Sequence, residues 1–311
     1  MPLSMNIKTE TVSNFADLRR RAQRLDPKRV AIVAADDDVA LTAASTALNL
    51  GIATPVLIGN ASRIRAKAQS LHMLDLIGKA EIVVSENPAT TAAHLAGDGK
   101  CDVLLKGHLR TDELLHAVLD KQSGLRTGRL LSDVFFYEDH LAGELRLTGI
   151  TDAGLNVSPN LQEKREIVLN AIEVMRGLGI ARPKIAIMSA TEVVAEAVPS
   201  TLDAKALTEM GSRGDFGEAD IFGPLALDGA LLETAARAKG ITHPVAGHAD
   251  CMVVPNIEAG NLLGKSAKYF GGSQCAHVVV GAKVPVLIPS RVESADDKVN
   301  AIALGVIFAA R

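Results

Sequence analysis

The sequence predicts an α/β fold built on a mainly parallel sheet, and three observations carry that expectation. Short β-branched runs alternate with helical stretches along the 311 residues, the pattern of right-handed βαβ crossovers with helices on both faces of a sheet. Hydrophobic residues make up 48% of the chain but aromatics only 3%, with no Trp, so the core must be assembled from Ala, Val, Leu and Ile, a palette suited to helices packed on buried strands. The length is about twice that of an ordinary domain, which admits two domains or one large α/β unit.

Taken in order, residues 13–25 read as an Arg-rich amphipathic helix and 29–35 as a strand closed by Asp36, Asp37 and Asp38. An Ala-rich helix follows over 38–50 and ends at Gly51, a residue suited to stopping a helix. The alternation continues with a strand at 54–59, a helix at 61–71, a strand at 80–84, a helix at 88–96 and a strand at 102–105. Between 126 and 154 glycines at 128, 143, 149 and 154 break the chain into short segments, which predicts antiparallel strands or a crossing between lobes. A long helix to Met175 opens at Ser158-Pro159-Asn160, with Ser158 or Asn160 as its cap and Pro near its first turn. Strands are predicted at 183–188, 220–223, 250–255, 276–280 and 284–288, with helical stretches in 189–210, at 228–239, through 261–269 and from about 294 to the end. No fixed repeat and no low-complexity linker interrupts this series, so any two lobes share a compact connection near 150.

Composition also removes whole classes of function. The net charge of −3 is spread along the chain, and no Lys/Arg run is interleaved with aromatics, which argues against a nucleic-acid groove. Cys101, Cys251 and Cys275 are far apart and form no C-x-x-C pair, so neither a disulfide framework nor a zinc knuckle is predicted. The polar N-terminus, with Lys8 and Glu10, has no apolar signal region, and no stretch reaches the roughly 18 apolar residues needed to span a bilayer. A cytoplasmic enzyme acting on small molecules, with no membrane or nucleic-acid partner, is the expectation.

The most informative segment is 285–300, where an apolar run delivers Ser290 and Arg291 to its end and carboxylates follow within a helical turn. Open α/β sheets collect ligands beyond the carboxyl ends of their strands. A Ser hydroxyl and an Arg fork there suit phosphate or a developing oxyanion. Asp297, three residues after Ser294, has the spacing of a capping box and therefore also a structural reason to exist. The loop from Lys106 to Thr111 follows another strand, and Gly107 would let backbone approach an anion beside Lys106 and Arg110. Arg126 and Arg129, flanking Gly128, could hold phosphates or form a solvated basic turn.

Other patterns carry less. The glycines at 177 and 179 fall after a helix and before a strand, the reverse of a dinucleotide loop. His243, His248 and Asp250 match no zinc template. G-x-S-x-G, Walker and H-E-x-x-H motifs are absent from the sequence.

Several stretches together resemble the phosphate acetyltransferase and phosphate butyryltransferase family over nearly the whole chain. They are Leu104-Leu-Lys-Gly107, Gly124-Leu-Arg-Thr-Gly128, Thr151-Asp-Ala-Gly-Leu-Asn156, Gly223-Pro-Leu-Ala-Leu-Asp228, Val254-Pro-Asn-Ile-Glu-Ala-Gly-Asn261, Val278-Val-Val-Gly-Ala282 and Ser290-Arg291. The Leu-Arg-Thr-Gly and Ile-Glu-Ala-Gly-Asn wording is closer to the butyryl branch. The resemblance implies a two-lobed, three-layer α/β/α fold related to isocitrate and isopropylmalate dehydrogenases, with the active site in the cleft and a homodimeric assembly. Residues 1–150 with 288–311 would form one lobe and 151–287 the other. The implied reaction exchanges an acyl group between coenzyme A and phosphate, with acyl-CoA, phosphate and acyl phosphate as substrates and neither cofactor nor metal. In the acetyl branch a Ser-Arg pair and an Asp seven residues after the Ser act in catalysis, and these fall on Ser290, Arg291 and Asp297. Asp297, or failing it Asp296, would take the thiol proton, and Lys106, Arg110, Arg126 and Arg129 would bind substrate. Two rival readings are a metal- and NAD-dependent decarboxylating dehydrogenase on the same fold and a CoA-binding homologue without activity.

Overall fold

A computed structural model describes residues 10–310 apart from Ala142 and Glu144. Residues 1–9, on which most of the reading of a polar N-terminus rests, and Arg311 lie outside the described residues.

The first part of the chain alternates as predicted. Its elements are α1 (Phe15–Gln23), β1 (Lys28–Val33), α2 (Asp38–Asn49), β2 (Ala53–Gly59), α3 (Ala61–Ser70), α4 (Leu74–Lys79), β3 (Glu81–Val84), α5 (Pro88–Gly97), β4 (Val103–Lys106) and α6 (Thr111–Leu119). Asn14, Asp37 and Asn60 accept first-turn N–H groups of α1, α2 and α3, so short polar side chains fix where these helices begin. The segment broken by glycines holds β5 (Ser132–Asp139) and β6 (Arg146–Thr151), an antiparallel pair. Next come α7 (Leu161–Gly177), β7 (Lys184–Met188), α8 (Pro199–Ser212), β8 (Asp220–Leu225), α9 (Leu227–Leu231), α10 (Glu233–Ala238) and β9 (Cys251–Val253). The chain closes with α11 (Ile257–Tyr269), β10 (Cys275–Val280), β11 (Val286–Leu287) and α12 (Ala295–Ala309).

Several boundaries differ from the sequence expectation. The helix foreseen over 228–239 is two short ones, because Leu232 is extended between them. Asn160, not Ser158, caps α7, in a capping box with Glu163, and Pro159 stands before the cap instead of in the first turn. Helices α4 and α6 were not foreseen: α4 is six residues long, and α6 follows directly on the basic loop after β4.

Among the described residues the strands join one sheet of eleven in the order β3-β2-β1-β4-β11-β10-β5-β6-β9-β7-β8. Pairing is parallel at both ends and antiparallel in the middle, where β10 runs against β11 and β5 and β5 runs against β6. Alternate residues of one strand enter different cores: Val30 and Ile32 pack with α1, α2 and α12, whereas Ala31 and Val33 pack with α5 and α6. This period-two division produces three layers. Helix α12 is buried from Asp297 to Phe308 and packs on α1, α2 and β10, and from Ala301 onward it is apolar all round, as expected of a helix buried on every side. The loop ahead of α12 is thereby anchored to the middle of the sheet.

Candidate active site

The site forms where β4 and β11 end side by side. Leu105 is in parallel register with Leu287, so the loop after Lys106 and the loop carrying Ser290 leave the sheet at the same edge. Lys106, Arg110, Thr111, Ser290 and Arg291 line one hollow there. Thr111 and Ser290 also belong to the wall of a neighbouring cavity of about 240 Å³. Ser290 therefore stands between this hollow and a more enclosed chamber.

The hollow is cationic. Lys106 is buried, and its ammonium is held below the usual lysine range by burial and then by the nearby charges of Lys298 and Arg291. Lys298 is itself buried, with Asp37 at 3.7 Å. Arg291 is exposed and makes no hydrogen bond or ion pair with other described residues. Arg110 is largely exposed and pairs with Asp112 at 2.9 Å. Such a cluster gains from an anion that neutralises it.

Strands β5 and β10 and helix α11 supply most of the chamber wall. Strand β5 gives Asp133 and Phe135, β10 gives His277, and α11 gives Lys265 and Lys268, while Glu293 enters from the Ser290 loop. His277 is opposite Phe135 and Asp133 lies two residues along the same strand, so all three share one face of the sheet. His277 Nδ1 is 3.0 Å from Asp133 Oδ2 and Nε2 is 3.3 Å from Glu293 Oε1. Burial alone would discharge the imidazole, but the two carboxylates outweigh it and raise its pKa to about 10. The Phe135 ring meets the imidazole edge-on at 4.8 Å. Behind Asp133, Asp152 is pushed up by burial and by the Asp133 charge. It accepts from Asn156 at 2.6 Å and from the Asp133 N–H at 3.2 Å.

The residues singled out from the sequence divide into three groups. Ser290, Arg291, Lys106 and Arg110 meet at the hollow. Asp297 is buried and lines neither the hollow nor the chamber, with Oδ2 taking Lys268 Nζ at 2.6 Å and both the Ser294 hydroxyl and N–H, and Oδ1 taking the Cys275 N–H. Asp296 is exposed and pairs with Arg19. Arg126 and Arg129 line a separate hollow of about 100 Å³, and Arg129 is engaged by Glu173 at 2.6 Å and by Asn170.

Asp133, His277, Glu293 and Lys268 were not singled out from the sequence. The available signal was a charged or polar residue inside an otherwise apolar strand, as at Asp133 and His277. Among the described residues, no three His, Cys, Asp or Glu side chains are grouped so as to hold a metal ion.

A family profile described as "Phosphate acetyl/butaryl transferase" matches residues 15–87 and 76–306. The chain belongs to this family. A phosphate acetyltransferase of Rhizobium meliloti is 41% identical over 294 residues, covering 93% of this chain and 92% of that protein. A phosphate butyryltransferase of Clostridium acetobutylicum is 38% identical over 301 residues, covering 96% and 99%. Among solved structures, a branched-chain phosphotransacylase from Enterococcus faecalis V583 superposes with a TM-score of 0.79 at 31% identity, over 91% of this chain and 99% of that one. Acetyl- and butyryl-named relatives thus stand at nearly equal distance, and overall identity does not rank the two acyl groups. No helix of the described residues is long and apolar enough to cross a membrane.

Proposed function

We propose that this member of the phosphate acetyl/butyryl transferase family exchanges a short acyl group between the thiol of coenzyme A and inorganic phosphate. The observation that carries this is the position of Ser290, between the Lys106–Arg291 hollow and the chamber. Phosphate fits the hollow, where Lys106 and Arg291 supply charge and Arg291 can bind two oxygens at once. The acyl chain fits the chamber against Phe135 and Ile288, which leaves its carbonyl carbon near Ser290.

In the direction of acyl-CoA formation, the thiolate sulfur bonds to the acyl carbon and the carbonyl oxygen takes on negative charge. The Ser290 hydroxyl and the Arg291 guanidinium stabilise that oxyanion. The bond from the acyl carbon to the phosphate oxygen then breaks, and phosphate leaves with the electron pair. Holding both reactants removes the need for a covalent enzyme intermediate. Asp297 orients Lys268 and the loop before α12, and Arg110 lies at the rim, placed for the phosphates of coenzyme A. Arg126 and Arg129 take no part in this scheme.

The test is release of free thiol from acetyl-CoA and butyryl-CoA in the presence of phosphate. Ser290→Ala and Arg291→Ala are each expected to lower kcat by about 10²–10³-fold. Absence of phosphate-dependent thiol release from either donor overturns the reading.

A further inference from the structure

We propose that Glu293 is the catalytic base that accepts the thiol proton, with His277 and Asp133 as its positioning residues. The inference rests on the acyltransferase reading and adds the proton acceptor that this reaction requires.

Two carboxylates line the chamber, Asp133 and Glu293. Both Asp133 oxygens lie within 3.3 Å of His277 Nδ1. Glu293 is only 5% exposed, and while Oε1 faces His277, Oε2 is buried with no hydrogen-bond partner among the described residues. An unpaired buried carboxylate oxygen costs about 1–3 kcal/mol or more, a cost relieved when a substrate brings a proton to it. The Glu293 N–H donates to the Ser290 carbonyl at 3.2 Å, so base and oxyanion donor ride on one tight turn. Asp297, three donors on one oxygen and one on the other, has no such opening.

The row Asp133–His277–Glu293 explains why Glu293 is ionised in a dry wall. Burial pushes its carboxyl up, but the imidazolium outweighs burial and holds it below the usual range. Asp133, from behind, fixes the ring so that Nε2 faces Glu293. In the reaction the S–H bond breaks with its electrons left on sulfur, the proton passes to Glu293 Oε2, and sulfur bonds to the acyl carbon. The departing phosphate then takes the proton, which restores the carboxylate.

The experiment is the pH dependence of kcat/KM for coenzyme A with acyl phosphate, on full-length wild type, Glu293→Gln and His277→Gln. For Glu293→Gln we expect a loss of about 10²–10⁴-fold at pH 7. That loss should shrink about tenfold per pH unit as rising pH ionises the thiol by itself. Replacing His277 removes the charge that holds Glu293 ionised, so the acid limb of the profile should move to higher pH by about one unit or more. A Glu293→Gln enzyme with wild-type rates, or one whose loss is the same at every pH, overturns the assignment, as does a His277→Gln acid limb that stays in place. The two variants are independent, so misfolding of one, seen by circular dichroism, leaves the other decisive. Wild type that turns over no acyl donor overturns the acyltransferase reading itself, whereas turnover with either contrary profile overturns only the base.

Discussion

Lys268 Nζ lies 2.6 Å from Asp297 Oδ2, tying α11 to the first turn of α12 in a setting where Asp297 is 1% exposed and Lys268 17%. Burial pushes the Asp297 carboxyl up, but donation from Lys268, Ser294 and the Cys275 N–H outweighs it and leaves the group below its ordinary range. Lys268 is lowered by burial, and the hydrogen bond to Asp297 together with the surrounding negative charge more than offsets that, so its ammonium is held above the usual range. Removing one partner strands the other, and such a loss costs on the order of 3–5 kcal/mol. Asp297→Ala is therefore expected to lower Tm by on the order of 10 °C. A depressed carboxyl contributes stability above its unfolded value of 3.8 and loses it as pH falls through the folded one. A raised ammonium contributes below 10.5 and loses it as pH rises through its folded value. The gap between wild type and variant should thus be widest between pH 4 and 10, within about a unit at each end, and calorimetry across that range checks it. A gap that does not narrow in acid would sink the account.

His277 gives a second pH signature with the opposite edge. Its pKa is raised from 6.5 to about 10 by Asp133 and Glu293 against the effect of burial. A raised imidazole stabilises the fold fully below pH 6.5 and loses that contribution as pH climbs through the folded value. The contribution is on the order of a few kcal/mol. Denaturant midpoints should fall from neutral to alkaline pH in wild type and much less in His277→Gln. Parallel slopes in the two proteins would show that the ring is neutral.

The sequence made some of this legible and concealed the rest for physical reasons. Strand β1 and helix α2 could be read because period and caps are local: Val30 to Val33 is a continuous apolar run, and Asp37 caps the helix that follows. Ser290, Arg291 and Lys106 could be placed because each follows an apolar strand, and parallel strands bring their carboxyl ends together. Asp297 presented a single spacing compatible with a cap and with a base, and its four hydrogen bonds, two from the Ser294 cap and two from Lys268 and the Cys275 N–H, show how fully the fold uses it. The His277–Asp133–Glu293 row could not be read. Its members are brought together by an antiparallel register between residues 144 positions apart and by a turn at Ser290, and neither leaves a mark in local sequence. Arg129 misled for the same reason, since Glu173 and Asn170, its partners, belong to a helix more than 40 residues on.

Lys106 offers a test of the anion hollow. Its burial and two cationic neighbours already disfavour its charge, so a bound phosphate should repay more there than at an exposed lysine. Lys106→Met is expected to raise KM for phosphate by about 10–100-fold with a smaller change in KM for coenzyme A, a change of about 1.4–2.8 kcal/mol in phosphate binding. Initial rates with phosphate varied at saturating acyl-CoA measure it. An unchanged phosphate KM would move the phosphate site elsewhere.

Arg129 should behave differently, although its residue type is the same as that of Arg291. It lies in another hollow and is occupied by Glu173 at 2.6 Å. Arg129→Ala should leave both Michaelis constants within about threefold of wild type and cost up to about 1 kcal/mol of stability, as partly exposed ion pairs do. A large rise in the coenzyme A KM would extend the binding surface across to that hollow.

Acyl length should be set on α11, where Gly260 and Gly264 line the chamber one turn apart. A Cβ on Gly264 would lie 3.3 Å from the Phe135 ring, whereas one on Gly260 would lie 2.6 Å from the Asp152 carbonyl oxygen and 2.9 Å from Ala153 Cα. A ring can yield by a few tenths of an ångström, and replacing a helical glycine by alanine returns about 0.5–1 kcal/mol of backbone entropy. Gly264→Ala should therefore fold with near wild-type stability while the ring is pressed into the chamber. Fixed backbone cannot yield in that way, so Gly260→Ala should lose several kcal/mol, on the order of 3, and most of its activity. One methylene in an apolar pocket is worth about 1–3 kcal/mol in discrimination, so Gly264→Ala should lower the butyryl-to-acetyl ratio of kcat/KM by about tenfold or more. Competition between the two acyl-CoA donors reads that ratio directly. An unchanged ratio would place the acyl chain away from Phe135.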